Sequence, residues 1–143
     1  MVISTIGYQK WAQDPDGLIR VLSQFDLVVD VRLKPWSRMM PRFSMPSLKK
    51  HLGERYEWMP EFGNLDYRSA DQVRLANFPL GKEKLAVRLA QGQTVVLLCG
   101  CANIGTCHRR LVAERLAAEL GGEVQHLPLT APVVTDPSKL DLF

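Results

Sequence analysis

The chain has 143 residues, 46% of them hydrophobic and 23% charged, the proportions of an ordinary globular protein. A chain of this length buries roughly two thirds of its unfolded surface, so one core suffices and neither a disulfide nor a metal is required for stability. No apolar run approaches the ~18 residues of a bilayer span, the opening MVISTIGYQKW shows no basic leader before an apolar stretch, and three clustered cysteines are not a disulfide scaffold, so the expected setting is a reducing cytoplasm.

Taken in order, the residues alternate between strand and helix patterns. Val2–Gly7 predicts a first strand, and 14–25 a helix opened by Asp-Pro with apolar Leu18, Ile19, Val21 and Leu22. LVVDVR over 27–32 predicts a central parallel strand, because it is apolar almost throughout. Ser44 and Gly53 bracket a short helix with Pro46 in its first turn, and 56–59 is a brief strand. Helical turns are expected over 69–76, a helix over 82–91, a strand over 94–98, a helix over 107–120 stopped by Gly121-Gly122, and a last strand over 124–127. The expected core face of the last helix is Leu111, Val112, Leu116 and Leu120, with Arg110, Glu114 and Glu119 in water. Residues 130–143 carry no periodicity and predict a surface strap or a disordered tail after a domain spanning 1–129.

Five strands alternating with helices imply a single three-layer α/β domain, a mostly parallel five-stranded sheet with helices on both faces. In such a sheet the carboxyl ends of the strands share one edge, where ligands bind. The segments expected there are Gly7-Tyr8, the loop from Arg32 to Arg38, the stretch from Glu61 to Asn64, and Cys99 to Arg109.

Two of those segments are unusual. Between Arg32 and Arg55 stand seven basic residues and one acid, a local +6 in a chain whose net charge is +3. That imbalance points to an anionic small molecule or a nucleic acid as partner, a solvated helix face over 49–55 being the plainer account of its second half. Within the loop, Arg32, Lys34, Arg38 and Arg42 supply charge, Pro35 and Pro41 stiffen it, Ser37 adds a hydroxyl, and Trp36 offers a flat face for stacking. Asp30 and Trp36 read equally well as structural, one pairing with Arg32 and the other packing the loop.

The second segment, CGCANIGTCHRR, holds every cysteine of the chain beside His108, Arg109 and Arg110. A loop that opens a helix aims backbone N–H groups and the positive end of the dipole at one spot, which favours anions and eases thiol ionisation. Cys107, next to the expected helix start, is the best-placed nucleophile, with His108 as acid, base or orienting donor and Arg109 as anion ligand. Packing of the helix start explains Cys107 equally well. Neither Cys99 nor Cys101 is followed six residues later by the arginine that a phosphatase loop needs. Zinc accepts Cys99, Cys101, Cys107 and His108 as donor types. Adjacent helical residues, however, diverge by about 100°, so Cys107 and His108 rarely reach one ion, and we expect neither metal nor cofactor.

TIGY at the start, VDVRLKPWSR after the second strand, Phe43, the element from Tyr56 to Gly63 ending PEFG, and LLCGCANIGTCHR together resemble the family termed domain of unknown function 488, over about residues 3–128. The resemblance implies an α/β fold and marks Asp30, Arg32, Pro35, Ser37, Arg38, Phe43, Pro60, Gly63, Cys99, Cys107, His108 and Arg109 as signature positions. Cys101 departs from it, since many relatives carry Glu there; Glu61 is the carboxylate that stands in its place if one is needed.

The leading functional expectation is a protein binding a phosphate-bearing ligand, a nucleotide or nucleic acid, at the strand ends. In it Arg32, Arg38 and Arg109 hold the anion, Trp36 or Tyr8 stacks, and the cysteines with His108 carry any catalysis. The competing class is a non-catalytic nucleic-acid-binding or adaptor module using the basic segment 32–55. A thiol redox protein ranks below both, because no C-x-x-C is present.

Overall fold

The computed structural model describes residues 1–69, 72–101, 105 and 107–127. Its strands are β1 (Val2–Gly7), β2 (Leu27–Asp30), β3 (Tyr56–Trp58), β4 (Val95–Cys99) and β5 (Glu123–His126). Its helices are α1 (Pro15–Leu22), α2 (Met45–Leu52), α3 (Phe78–Ala90) and α4 (His108–Leu120). The expected tail, 130–143, lies outside the described residues. Among the described residues no helix is long and apolar enough to cross a membrane.

All five strands are parallel, in the order β3-β2-β4-β1-β5. The order decides where the helices go. From β1 the chain steps past the β4 position to β2 and on to β3; it then returns to β4 and crosses β1 to reach β5. Because right-handed crossovers in opposite directions fall on opposite faces, α1 and α2 cover one face while α3 and α4 cover the other. The core divides accordingly. Val28, Val96 and Leu98 pack with Leu18, Leu22 and Leu48 on one side. Val29, Val95 and Leu97 pack with Leu85, Val112 and Leu116 on the other.

Local sequence explains most boundaries. The Asp14 carboxylate accepts the Gly17 N–H at 3.0 Å and caps α1, with Pro15 in the first turn. Gly121 closes α4 in the left-handed region (φ 77°), and its N–H and that of Gly122 both reach the Ala117 carbonyl at 2.8 Å. β2 and β4 are buried along their whole length, as a strand covered on both faces must be.

Three expectations are corrected. α3 starts at Phe78 rather than 82, because Asn77 accepts the Leu80 N–H at 3.3 Å as its cap and Pro79 fits the first turn. No helix forms in the described part of 69–76. Leu75 bridges Asn64 in antiparallel fashion instead, with the Leu65 N–H on the Arg74 carbonyl at 2.8 Å and the Ala76 N–H on that of Gly63 at 2.9 Å. Finally, α4 is rotated relative to its apolar pattern: Leu111 is 41% exposed, while Arg109 joins Val112, Ala113 and Leu116 in complete burial.

Leu116→Ala is therefore expected to destabilise by ~2–5 kcal/mol and Leu111→Ala by less than about 1 kcal/mol, measured by urea unfolding. Equal losses would return Leu111 to the core.

Candidate functional site

The strand order creates a switch point. β1 and β2 send the chain to one face and β4, lying between them, sends it to the other, so a crevice opens above their carboxyl ends. The walls start as extensions of the sheet. The Tyr8 N–H donates to the Cys99 carbonyl at 2.9 Å, the Gln9 N–H to that of Gly100 at 3.1 Å, and the Val31 N–H to that of Leu98 at 3.1 Å. Gly7 permits the closest approach, since a Cβ on it would stand 2.0 Å from the Cys101 carbonyl oxygen.

One wall is the basic loop, and a buried ion pair holds it. Asp30, at the last position of β2, is fully buried and accepts from Arg32 Nε at 2.8 Å, Arg32 Nη2 at 2.6 Å and the Arg32 N–H at 3.2 Å. Tyr56 donates its hydroxyl to the same carboxylate. Arg32 also gives Nη2 to the Phe43 carbonyl at 2.8 Å and Nη1 to the Tyr8 hydroxyl at 3.3 Å, so one guanidinium ties β2, the far end of the loop and the segment after β1. Burial disfavours its charge, but the bonds and attraction of Asp30 outweigh this and raise its pKa. Burial and then Asp30 push the Tyr56 hydroxyl upward as well. Further along, Ser44 Oγ accepts the Ser37 N–H at 2.9 Å, Ser37 Oγ accepts that of Met40 at 3.0 Å, and the Pro35 carbonyl accepts that of Met45 at 2.8 Å.

Between this loop and the cysteine segment lies a pocket of about 580 Å³. Its lining includes the buried Tyr8 and Arg32, the exposed Lys34, Trp36 and Tyr67, which make its solvent-facing mouth, and the more enclosed Cys99, Cys101 and His108. Trp36 is 57% exposed and meets Trp58 edge-on, with ring centroids 6.4 Å apart. Lys34 Nζ lies 3.3 Å from the Tyr67 hydroxyl and 5.4 Å from the ring centre, and this bond holds the phenol below its ordinary range.

The far wall is a sulfur corner. The Sγ atoms of Cys99, Cys101 and Cys107 all lie within 4.8 Å of one another. The 100° divergence of helical neighbours does not apply to Cys107, because this residue is the extended cap of α4 (φ −92°, ψ 133°) and not its first helical residue. His108 joins the corner: Nδ1 lies 3.8 Å from Cys99 Sγ, and Nε2 lies 2.7 Å from the Val31 carbonyl oxygen. A carbonyl only accepts, so Nε2 carries a proton and Nδ1 is the nitrogen that faces the sulfurs. Burial disfavours the charged ring, but its hydrogen bonds to Cys107 and the Val31 carbonyl outweigh this and raise its pKa, so Nδ1–H points to the thiolate and only deprotonation bares the Nδ1 lone pair. Hydrogen bonds from the Cys101 and Cys99 thiols, with His108 and the Arg109 charge adding to them, hold Cys107 well below an ordinary thiol despite its burial. Cys99 feels an opposing pull from Cys101, but Cys107 and burial push it up to about 12, and Cys101 is likewise raised, chiefly by Cys107. One sulfur thus takes the negative charge and the other two donate to it.

Among the residues singled out by sequence, Tyr8, Arg32, Trp36, Ser37, Cys99, Cys101 and His108 meet at this pocket. Others are elsewhere. Arg109 lies behind the cysteine segment with no exposure, its Nη1 donating to the Cys101 carbonyl at 2.8 Å. Pro35 and Cys107 are buried beside the pocket, and Arg38 is exposed outside its lining. Glu61 pairs with Lys84 of α3 at 2.7 Å. Asn64, the end of the stretch expected on this edge, lines the pocket, and so does Tyr67, which no local pattern marked; Asn64 Oδ1 accepts the amides of Asp66 at 2.9 Å and Arg74 at 3.0 Å, and Asn64 bridges Leu75.

Two outcomes follow. Arg32→Ala strands a buried carboxylate and should cost about 3–5 kcal/mol in urea unfolding, against about 1–2 kcal/mol for Tyr56→Phe, which removes one hydrogen bond. In reduced, metal-free protein, thiolate ultraviolet absorbance should show one ionisation well below about 8.5, absent in Cys107→Ser, while the other two thiols stay protonated into strongly alkaline solution. Because the folded pKa of Cys107 is lowered, its contribution to stability is full above the unfolded thiol pKa and is lost as pH falls through the folded value. Three thiols titrating together near the ordinary value would contradict the corner as described.

No curated protein matches the chain. A family model matches residues 21–78, a stretch that leaves out the cysteine segment and the first strand. That stretch runs from α1 through β2, the basic loop and β3, and it matches the family described as Domain of unknown function DUF488, so the chain is DUF488-like there.

Proposed function

We propose that the pocket at the strand ends binds a phosphate-bearing ligand with a planar part, a nucleotide or a short stretch of nucleic acid, in a reducing cytoplasm. The observation that carries this reading is the pairing of Lys34 with two partly exposed aromatic rings, Trp36 and Tyr67, at the mouth of one cavity. A base stacks on an aromatic face, and an ammonium on a flexible stem meets its phosphate. The cation of the reading is Lys34 rather than Arg32, whose donors are engaged by Asp30, Phe43 and Tyr8. Any catalysis falls to the Cys99, Cys101 and His108 wall together with the ionised Cys107 beside it, Cys107 being the nucleophile and His108 the proton-transferring group.

The adaptor reading, a broad basic surface over 32–55, has less support. Arg32 is buried against Asp30, Arg42 pairs with Asp16, and Arg55 donates to the Ser23 and Phe25 carbonyls at 2.7 and 3.1 Å. Much of the +6 therefore closes loops instead of facing a partner.

The test is fluorescence anisotropy with labelled mononucleotides and a short single-stranded oligonucleotide. Trp36→Ala should weaken binding roughly 5- to 150-fold, the loss of one stacked base. Lys34→Ala should flatten the dependence of log affinity on log salt by about 0.7–0.9. Unchanged affinity in both folded variants sinks the pocket reading. Weakening by Lys49→Ala and Lys50→Ala alone transfers binding to the α2 face and favours the adaptor module.

A further inference from the structure

We infer that Cys99, Cys101, Cys107 and His108 form a binding site for a thiophilic divalent cation of the Zn²⁺ type, held by three thiolates and one imidazole. This site is independent of the nucleotide reading, because it uses the wall of the pocket and none of the groups at its mouth.

Four observations carry it. The first is spacing. In a tetrahedral zinc site with metal–sulfur bonds of ~2.3 Å the sulfurs stand about 3.8 Å apart, and sulfur and imidazole nitrogen about 3.6 Å apart. The three Sγ atoms lie within 4.8 Å of one another, so their closure around an ion requires only small side-chain rotations, and His108 Nδ1, 3.8 Å from Cys99 Sγ, is the nitrogen at the edge of that trio that completes the set. The second is the tautomer. The Val31 carbonyl at 2.7 Å holds the Nε2 proton of His108 and leaves Nδ1 as the donor, the outer-shell arrangement that orients a ligating histidine.

The third is enclosure. Cys99 and Cys107 are 4% and 5% exposed, whereas Cys101 is half-buried and lines the pocket, so an ion has an entry path and a closed rear. The fourth is charge. Three thiolates around a divalent cation leave one negative charge, and a buried cation stands behind them: Arg109 has no exposure, and its Nε and Nη2 have no hydrogen-bond partner among the described residues. Its Nη1 is fixed on the Cys101 carbonyl, which places the charge against the segment that carries the thiols. A buried guanidinium is costly unless a negative charge faces it; the Cys107 thiolate is that charge before an ion binds, and the three-thiolate centre keeps one net negative charge there when an ion is bound.

Loading is an exchange with no redox step. Cys99 and Cys101 each give an S–H proton to solvent as a sulfur–metal bond forms, Cys107 binds as the thiolate it already is, and His108 releases the proton on Nδ1 to free the lone pair that coordinates.

The experiment uses the full chain, reduced, stripped with a chelator and kept anaerobic, titrated with Co²⁺ as a spectroscopic probe and then with Zn²⁺. Expected are one equivalent bound, a sulfur-to-cobalt charge-transfer band with the visible bands of a tetrahedral ion, release of protons, and displacement by Zn²⁺. One equivalent of Zn²⁺ should also protect all three thiols from alkylation. Cys101→Ser, at the half-buried position, should lower Co²⁺ affinity by more than the 10- to 100-fold typical of outer-shell changes, and His108→Gln should keep the charge-transfer band while altering the visible ones. The metal site is overturned by the absence of that band in the unsubstituted chain, by a band that survives Cys101→Ser at full affinity, or by thiols that close to a disulfide in preference to taking up metal. The titration of the unsubstituted chain is decisive even if a variant fails to fold.

Discussion

The buried ion pair between Asp30 and Arg32 is the constraint on which the functional edge depends. β2 ends at Asp30, and the chain must leave the sheet there without stranding a carboxylate in the core. Arg32, two residues on, answers it in bidentate fashion and extends to Phe43 and Tyr8. A loop of some ten residues is thereby closed onto the sheet at both ends, and Trp36 and Lys34 are held out at the mouth of the pocket. The signature pattern VDVR is thus first a structural device. Its charge, conspicuous in the sequence, is neutralised inside the protein.

The opposite wall is organised by the sheet. β4 lies between β1 and β2 but sends the chain to the other face, so Gly100 and Cys101, which follow it, stand at the crevice. Gly7 lets that segment lie directly on β1, and Arg109 holds it from behind through the Cys101 carbonyl. The result concentrates three sulfurs, an imidazole and a buried guanidinium in one corner. In a low dielectric such a group settles its charge collectively, one sulfur ionising at the expense of the others or a cation binding them all. The same residues that give the pocket its reactive wall therefore also give the site its affinity for soft ions.

The two walls bear on function differently. In the proposed function recognition falls to the loop side, through stacking and the Lys34 ammonium, while the cysteine side offers soft donors. Trp36, Tyr67 and Cys101, the least buried of the three thiols, line the same pocket.

Much of this was legible in the residues. The β1 limits, the strand character of 27–30 and 95–98, the cap at Asp14 and the stop at Gly121 follow from local chemistry: apolar β-branched runs, a carboxylate before proline, a glycine where the chain turns left-handed. Parallel pairing followed from helices placed between strands, and with it the gathering of the Arg32 loop and the cysteine segment on one edge. What local pattern could not reveal is which charges face inward. Arg109 reads as an anion ligand at the helix start, yet it is fully buried with Nη1 on the Cys101 carbonyl, while Leu111, expected in the core, is exposed. Tyr67 lines the pocket although no periodicity announces it. The sequence alone determined the elements and their shared edge, because those depend on propensity, capping and crossover handedness. Only the tertiary structure decided that Arg32 serves Asp30, and that an extended cap residue brings Cys107 to the other two sulfurs, because burial and partner choice are set by neighbours distant in the chain.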